Sequence, residues 1–171
     1  LQGTINYVEG AVGSRVQPLA HASYDAWIKA YRPNENSSNT TMSYYSRGQA
    51  IASLIDAKII ANTKGKKRLD HFMQHLYKKF YIKKDRGFTE DEFRNELSSF
   101  AKENLDEFFS RYINGTEIPP YKEVFEKIGV NVKYTGSSAP SFGATLRQSG
   151  GKLIVSRVRS NSSCEDAGIS V

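Results

Sequence analysis

Two neighbouring tyrosines, Tyr44 and Tyr45, stand where the sequence predicts the start of its best helix. Arg47 and Gly48 follow them, and apolar residues then recur at helical spacing. A phenol at a helix N-terminus can donate a hydrogen bond to a developing oxyanion, and a glycine beside it lets a substrate or another backbone come close. The alternative is that both tyrosines are aromatic side chains at the edge of the core.

A pair of histidines has the spacing of a zinc site but lacks its chemistry. His71 and His75 are four residues apart on a predicted helix, as in H-E-x-x-H. The position of the glutamate that acts as general base is taken by Phe72, which cannot accept a proton and belongs to an apolar stripe. His21 is isolated, and the single cysteine, Cys164, excludes an internal disulfide. We expect no metal bound to this chain.

Helices are predicted for most of the first 130 residues. The first 20 residues favour a short helix or a loop, because glycine and proline interrupt them. The later predicted helices cover residues 23–31, 43–62, 68–82, a segment that begins with a capping box at Thr89 and Glu92, a segment from 104 or 105 up to Asn114, and 121–128. These elements must position the tyrosine pair.

The character of the sequence changes after Val130. Val130 and Val132 predict a strand, residues 133–140 form a Gly/Ser/Pro linker, and alternation around Gly150 and Gly151 predicts a hairpin. Residues 161–171 predict a turn and a short helix. The expected fold is therefore mainly α, with a helical bundle over residues 1–132 followed by a short, incomplete β-rich segment over residues 141–171.

Size and charge restrict the possible partners. The chain has 171 residues and a net charge of +6, much of it from lysine and arginine clusters at 64–68 and 78–84. A basic helical nucleic-acid binder is one hypothesis, but acidic residues follow from Glu90 to Glu107, which favours solvated helix faces. We expect no nucleic-acid partner and no membrane span. The protein is expected to be soluble, in an unknown compartment, cytoplasmic or periplasmic.

Three strings resemble the glycyl aminopeptidase family of metallopeptidases: Asp25–Lys29, Tyr31–Ser37 and Ser43–Gly48. Later strings at 54–59, 87–93 and 108–116 follow in the family's order, so the resemblance covers roughly residues 14 to 130. It implies a thermolysin-like zinc peptidase, a gluzincin, whose metal ligands lie upstream of the region resembled. The chain is then expected to be the C-terminal helical subdomain of such an enzyme.

The resemblance also implies the reaction and its requirements. The parent enzyme would remove N-terminal residues, glycine or alanine, from peptide substrates. Zinc is expected in the parent enzyme only, and the fragment is expected to be inert without the missing N-terminal catalytic portion. Because the chain does not begin with methionine, we expect it to be a piece of a longer protein.

The related aminopeptidase N group carries a Y-x-K-G motif, which Tyr45–Gly48 resembles with Arg47 in place of lysine. In that motif the tyrosine hydroxyl stabilises the tetrahedral intermediate opposite the zinc. The resemblance therefore implies that Tyr45 is the oxyanion donor, with Tyr44 as the second choice.

The segment from about Ser141 resembles the opening of a PDZ domain, with residues 164–169 in place of P-A-x-x-A-G-L. The resemblance implies that backbone amides of Phe142, Gly143 and Ala144 receive a peptide carboxylate, although no useful affinity is expected from a truncated domain. An alternative to the enzyme is therefore a non-catalytic peptide-binding module with a PDZ-like tail.

Overall fold

The computed structural model describes residues 1–133 and 140–171, and the mainly α fold with a small β-rich tail is confirmed. In these residues the α-helices are α1 Gln2–Gly10, α2 Leu19–Tyr24, α3 Ser37–Thr40, α4 Tyr44–Asn62, α5 Leu69–Leu76, α6 Glu90–Ala101, α7 Asp106–Phe108, α8 Tyr121–Glu126 and α9 Ser163–Asp166. A 3₁₀ turn covers Val12–Arg15, and π-helical turns extend α5 over Tyr77–Ile82 and α7 over Phe109–Ile113. The strands are β1 Ala144–Ser149 and β2 Lys152–Val158.

Helix α4 is the centre of the core and contacts α1, α2, α5, α6 and α8. Its apolar residues recur at helical spacing, and Ala50, Leu54 and Ile59 are completely buried. The surrounding helices bury aromatic and aliphatic side chains against it: Phe72, Leu76, Phe80, Leu97, Leu105, Tyr121 and Phe125. Full burial of one such side chain stabilises the fold by about 1.5–3 kcal/mol, so packing holds α4 in place.

The predicted start of α4 is confirmed. Ser43 is the N-cap, and its hydroxyl accepts a hydrogen bond from the Ser46 amide at 3.3 Å. This bond satisfies one of the amides that a helix N-terminus leaves without a partner. Tyr44 and Tyr45 are therefore the first two helical residues, and the cap fixes their backbone.

Two local predictions are wrong. The helix expected over 23–31 lies instead at Leu19–Tyr24, because Pro18 is its N-cap and supplies the fixed φ that suits a helix start. The strand expected at Val130 and Val132 does not form: the Val130 amide bonds to the Phe125 carbonyl, and Gly129 has φ +79°. The backbone of Gly129 and Val130 therefore terminates α8, and a glycine with positive φ is common at helix C-termini.

The predicted hairpin is confirmed. Strands β1 and β2 are antiparallel, Ser149 pairs with Lys152, and Gly150 and Gly151 between them have φ +58° and +75°. Positive φ at both turn residues matches the right-handed twist of the strands. A bulge lies between Thr145 and Leu146.

One asparagine on α3 joins the hairpin to the helical part. The Asn39 amide nitrogen donates to the Val158 carbonyl at 2.8 Å, and its oxygen accepts from the Ser160 amide at 3.0 Å. The predicted linker over 133–140 lies largely outside the described residues. Within the described ranges no helix has the length and apolar character needed to cross a bilayer.

The capping box predicted for α6 is confirmed and is reinforced by an ion pair. The Thr89 hydroxyl accepts from the Glu92 amide, and the Glu92 carboxylate accepts from the Thr89 amide at 3.0 Å. Arg86 donates to both oxygens of the same carboxylate, at 2.8 and 2.6 Å. The Arg86 guanidinium, followed by the Thr89 amide, lowers the pKa of Glu92 to about 2.

We predict that Glu92→Gln lowers the stability of the fold at neutral pH. The difference in stability between this variant and the unsubstituted protein should disappear in acid. The pKa of Glu92 is lowered on folding from an ordinary value of 4.5 to about 2, so its contribution is present above pH 4.5 and is lost as the pH falls toward 2. Thermal unfolding between pH 2 and pH 7 measures this. Asp91→Asn in the same helical turn is the control; an equal pH dependence of both variants would contradict the assignment.

Candidate active site

Three tyrosine hydroxyls meet at the N-terminus of α4. The Tyr31 hydroxyl oxygen lies 3.0 Å from that of Tyr44 and 3.0 Å from that of Tyr45. The rings of Tyr44 and Tyr45 stack with their centroids 4.2 Å apart, and the Trp27 ring packs against Tyr31 at 5.2 Å. We call Tyr31, Tyr44 and Tyr45 the tyrosine cluster.

The pKa values of Tyr44 and Tyr45 are shifted in opposite directions. The hydrogen bond with Tyr31 raises the pKa of Tyr44 and lowers the pKa of Tyr45. A hydrogen-bond donor holds its proton more firmly, whereas an acceptor is stabilised as the phenolate. These opposite shifts are those of a chain in which Tyr44 donates to Tyr31 and Tyr31 donates to Tyr45, although either hydroxyl of each pair can be the donor. In that arrangement the Tyr45 proton is left for an acceptor outside the cluster.

Tyr45 is not a core side chain, because 68% of its surface is exposed. It lines an open cleft of about 860 Å³ between the helical part and the hairpin. Tyr31 and Tyr44 line the same cleft, together with Gly143, Ala144, Arg157 and Arg159 of the hairpin part. A phenol that is more acidic than usual thus faces a cavity large enough for a small ligand.

The cleft brings together most of the residues that the sequence singled out. Tyr44 and Tyr45 line it from the helical side, and Gly143 and Ala144 line it from the hairpin side, whereas the exposed Phe142 lies outside its lining. Gly143 has φ +83°, and a Cβ there would lie 2.3 Å from the Ser162 Cβ. Glycine is therefore required by this turn independently of any ligand.

Arg47 is separated from the exposed tyrosines. Only 1% of its surface is exposed, and its guanidinium donates to the Glu117 carbonyl at 2.7 Å. The guanidinium of Arg47 thus lies inside the helical part and does not face the cleft. At Gly48, an added Cβ would meet no described atom within 4 Å, so packing of the described residues does not require glycine there.

The histidines belong to structural contacts. The His71 ring accepts from the Arg68 amide at 3.1 Å, and His75 bonds to Glu96 at 2.7 Å. The Lys79 ammonium also contacts Glu96 and, with His75, lowers the pKa of that carboxyl. In residues 1–133 and 140–171, no group of three histidine, cysteine, aspartate or glutamate side chains could hold a metal ion. The described residues therefore do not fit a zinc site.

The sequence did not indicate three cleft residues, Tyr31, Arg157 and Arg159. Tyr31 is in a loop 13 residues before Tyr44, and no periodicity connects the two. Arg157 is in a strand that the hairpin pattern predicted, but its facing the cleft depends on the contacts of Asn39. Tertiary structure determines that Tyr31 and Arg157 lie at the cleft. Tyr31 is nevertheless part of one of the strings that resemble the family.

The comparisons with known proteins agree with that resemblance. Residues 1–51 match the sequence model of the M61 glycyl aminopeptidase family. The fold is similar to the crystal structure of an aminopeptidase N family protein from Idiomarina loihiensis, with a TM-score of 0.81 and 27% identity over 98% of this chain. The chain spans 31% of that protein's length. No curated protein matches the chain. The resemblance to the glycyl aminopeptidase family is confirmed.

We predict that Tyr31→Phe moves the pKa values of its two partners in opposite directions. Without the shared hydroxyl, the pKa of Tyr45 should rise and that of Tyr44 should fall, because each loses the first cause of its shift. Titration of ¹³Cζ-labelled tyrosine by NMR measures both values. Tyr24→Phe, at an exposed tyrosine outside the cluster, is the control. Unchanged titration of Tyr44 and Tyr45 in Tyr31→Phe would show that the hydroxyls are not coupled.

Proposed function

We propose that this chain is the C-terminal helical subdomain of a zinc-dependent aminopeptidase and that Tyr45 is the oxyanion donor of that enzyme. The observation that carries the proposal is that Tyr45 is exposed and lines the cleft, with its hydroxyl oxygen 3.0 Å from that of Tyr31. The family match over residues 1–51 and the aminopeptidase N family structure support the reaction class.

Peptide hydrolysis creates negative charge on the carbonyl oxygen of the scissile bond. A donor already placed for that charge lowers the barrier because it needs no reorganisation when the charge forms. Tyr45 suits this task in the arrangement where the Tyr31 hydroxyl, 3.0 Å away, donates to its oxygen, because that bond strengthens the Tyr45 O–H as a donor. Tyr44 suits it less, since its hydrogen bond with Tyr31 raises its pKa.

Metal ligands are proposed to lie in another part of the protein. The described residues form no group that could hold a metal ion, so no metal-dependent step is assigned to them. The fragment is accordingly proposed to be inactive alone. An N-terminal glycine or alanine preference is a further proposal, and the name of the matching family supports its glycine part.

An exposed aromatic surface next to the tyrosine cluster supports a missing catalytic portion as the partner. Tyr24, Trp27 and Ile28 are exposed by 90%, 79% and 69%, and Trp27 packs on Tyr31. Large apolar side chains exposed together in one short segment are typical of a protein interface. We propose that the portion with the zinc ligands covers it. The similar crystal structure has about three times the length of this chain, which leaves room for such a portion.

Residues 141–171 are proposed to be the beginning of a PDZ-like domain after the linker at 133–140. The hairpin and the short helix α9 support this interpretation. In the described residues the sheet has two strands, fewer than an independently stable sheet normally needs.

We predict that Tyr45→Phe in the intact enzyme lowers kcat by about 10²–10³-fold, because removal of one oxyanion donor typically has that effect. Its zinc content should stay unchanged, since Tyr45 is not proposed as a ligand. Steady-state hydrolysis of glycine p-nitroanilide and atomic absorption measure the two quantities.

Two variants sharpen this test. Tyr81→Phe, at an exposed tyrosine, controls for loss of a hydroxyl outside the tyrosine cluster, and Tyr44→Phe compares the second choice of donor. If Tyr45→Phe retained full turnover while Tyr44→Phe lost it, the donor role would belong to Tyr44. Full turnover in both variants would eliminate the oxyanion role of the pair.

A further inference from the structure

The hairpin side of the cleft carries positive charge. Among the described residues that line the cleft, Arg157 and Arg159 are the charged ones, and no aspartate, glutamate or lysine joins them. Arg157 pairs with Thr145 across the two strands, and the Arg159 amide donates to the Gly143 carbonyl at 2.8 Å. These four residues occupy alternate positions of one hairpin face, which explains why they line the cleft together.

The two arginines have different structural roles. The Arg159 guanidinium donates to the Gly10 carbonyl at the end of α1, at 3.4 Å, and so bridges the hairpin to the helical part. Arg157 is exposed, and its guanidinium makes no hydrogen bond or ion pair with the described part of the chain. Its five N–H donors are therefore available to a ligand in the cleft.

This charge distribution sets the polarity of a bound peptide. A peptide has an ammonium group at one end and a carboxylate at the other, and a cleft with cations and no described acid attracts the carboxylate. Tyr45, on the helical side of the cleft, is the proposed contact of the scissile carbonyl. The segment after the scissile bond then extends toward the hairpin. A cleft of about 860 Å³ is in the range that holds small ligands.

We propose that Arg157, with Arg159 beside it, is a specificity residue that binds a carboxylate on the carboxyl-terminal side of a short peptide substrate. The substrate class rests on the proposed function. The carboxylate can be the peptide's C-terminus or the side chain of aspartate or glutamate after the scissile bond. Both present the same two oxygens to the planar guanidinium fork.

Kinetics of the intact enzyme on matched substrates test this proposal. Gly-Ala-Ala is compared with its C-terminal amide, and Gly-Asp-Ala-amide is compared with Gly-Asn-Ala-amide. In at least one pair, we expect the peptide with the carboxylate to have a KM about fivefold lower than its amide counterpart. One ion pair at a partly exposed site increases affinity by about that factor. The first pair identifies a C-terminal carboxylate as the ligand, and the second identifies a side chain.

Substitutions connect that preference to Arg157. Arg157→Gln should bring the KM ratio of the responding pair close to one, whereas Arg157→Lys should keep part of the preference because it keeps the charge but loses the fork. Arg147→Gln is the matched control, since Arg147 is on β1 of the same hairpin and outside the cleft lining. The proposal would be overturned if, in the unsubstituted enzyme, the two substrates of each pair had the same KM. It would also be overturned if Arg157→Gln left the KM ratio unchanged.

Calorimetry separates this proposal from the peptidase function. The same peptides are titrated into the intact Tyr45→Phe protein, with and without Arg157→Gln. One outcome is that the unsubstituted protein hydrolyses no peptide, while the carboxylate peptides bind more tightly than their amide counterparts and Arg157→Gln removes the difference. The peptidase function then fails and the carboxylate site stands. If peptides are hydrolysed without any Arg157-dependent preference, the function stands and the carboxylate site is overturned.

Discussion

The buried guanidinium of Arg47 fixes the end of α4 on which the candidate site depends. A charge removed from water is strongly destabilising unless it is paired or hydrogen-bonded. Arg47 donates to the Glu117 carbonyl at 2.7 Å, and in the described residues its Nε atom has no partner. The segment before α8 must therefore stay in contact with the first turn of α4. Tyr45 is two residues earlier in the same turn, exposed to the cleft.

The candidate site divides its chemistry between two elements. The N-terminus of α4 supplies the tyrosine cluster, whereas the hairpin supplies Arg157 and Arg159. Asn39 holds the two sides together by binding the backbone on both sides of Arg159. The packed core determines where the phenols lie, and a few polar contacts determine where the cations lie. A change of specificity in the hairpin would consequently leave the core packing of α4 intact.

Local signals explain which parts of the fold could be predicted. The Ser43 cap, the Thr89 capping box and the Gly150 turn each depend on neighbouring residues, and all three are confirmed. Val132 was predicted in a strand because of its residue type, but it is buried in the helical core, an outcome that tertiary contacts decide.

The candidate site was predictable only in part. Tyr45 followed from the family resemblance, and its role stays a proposal. The bond from Tyr31 and the position of Arg157 connect distant parts of the chain, so no spacing in the sequence indicates them. The inward direction of Arg47 also depends on a carbonyl 70 residues away. Sequence patterns identify helix ends and turns, whereas the cleft results from how those elements pack.

The central claim is that the Tyr45 hydroxyl donates to the oxyanion of the transition state, supported by Tyr31. A crystal structure of the intact enzyme with a phosphinic peptide, whose tetrahedral anionic phosphorus group resembles that state, tests it most directly. The account predicts the Tyr45 hydroxyl oxygen about 2.5–3.0 Å from a phosphinyl oxygen, with the Tyr31 hydroxyl still bonded behind it. A phosphinyl group bound beyond hydrogen-bond reach of Tyr45 would contradict it.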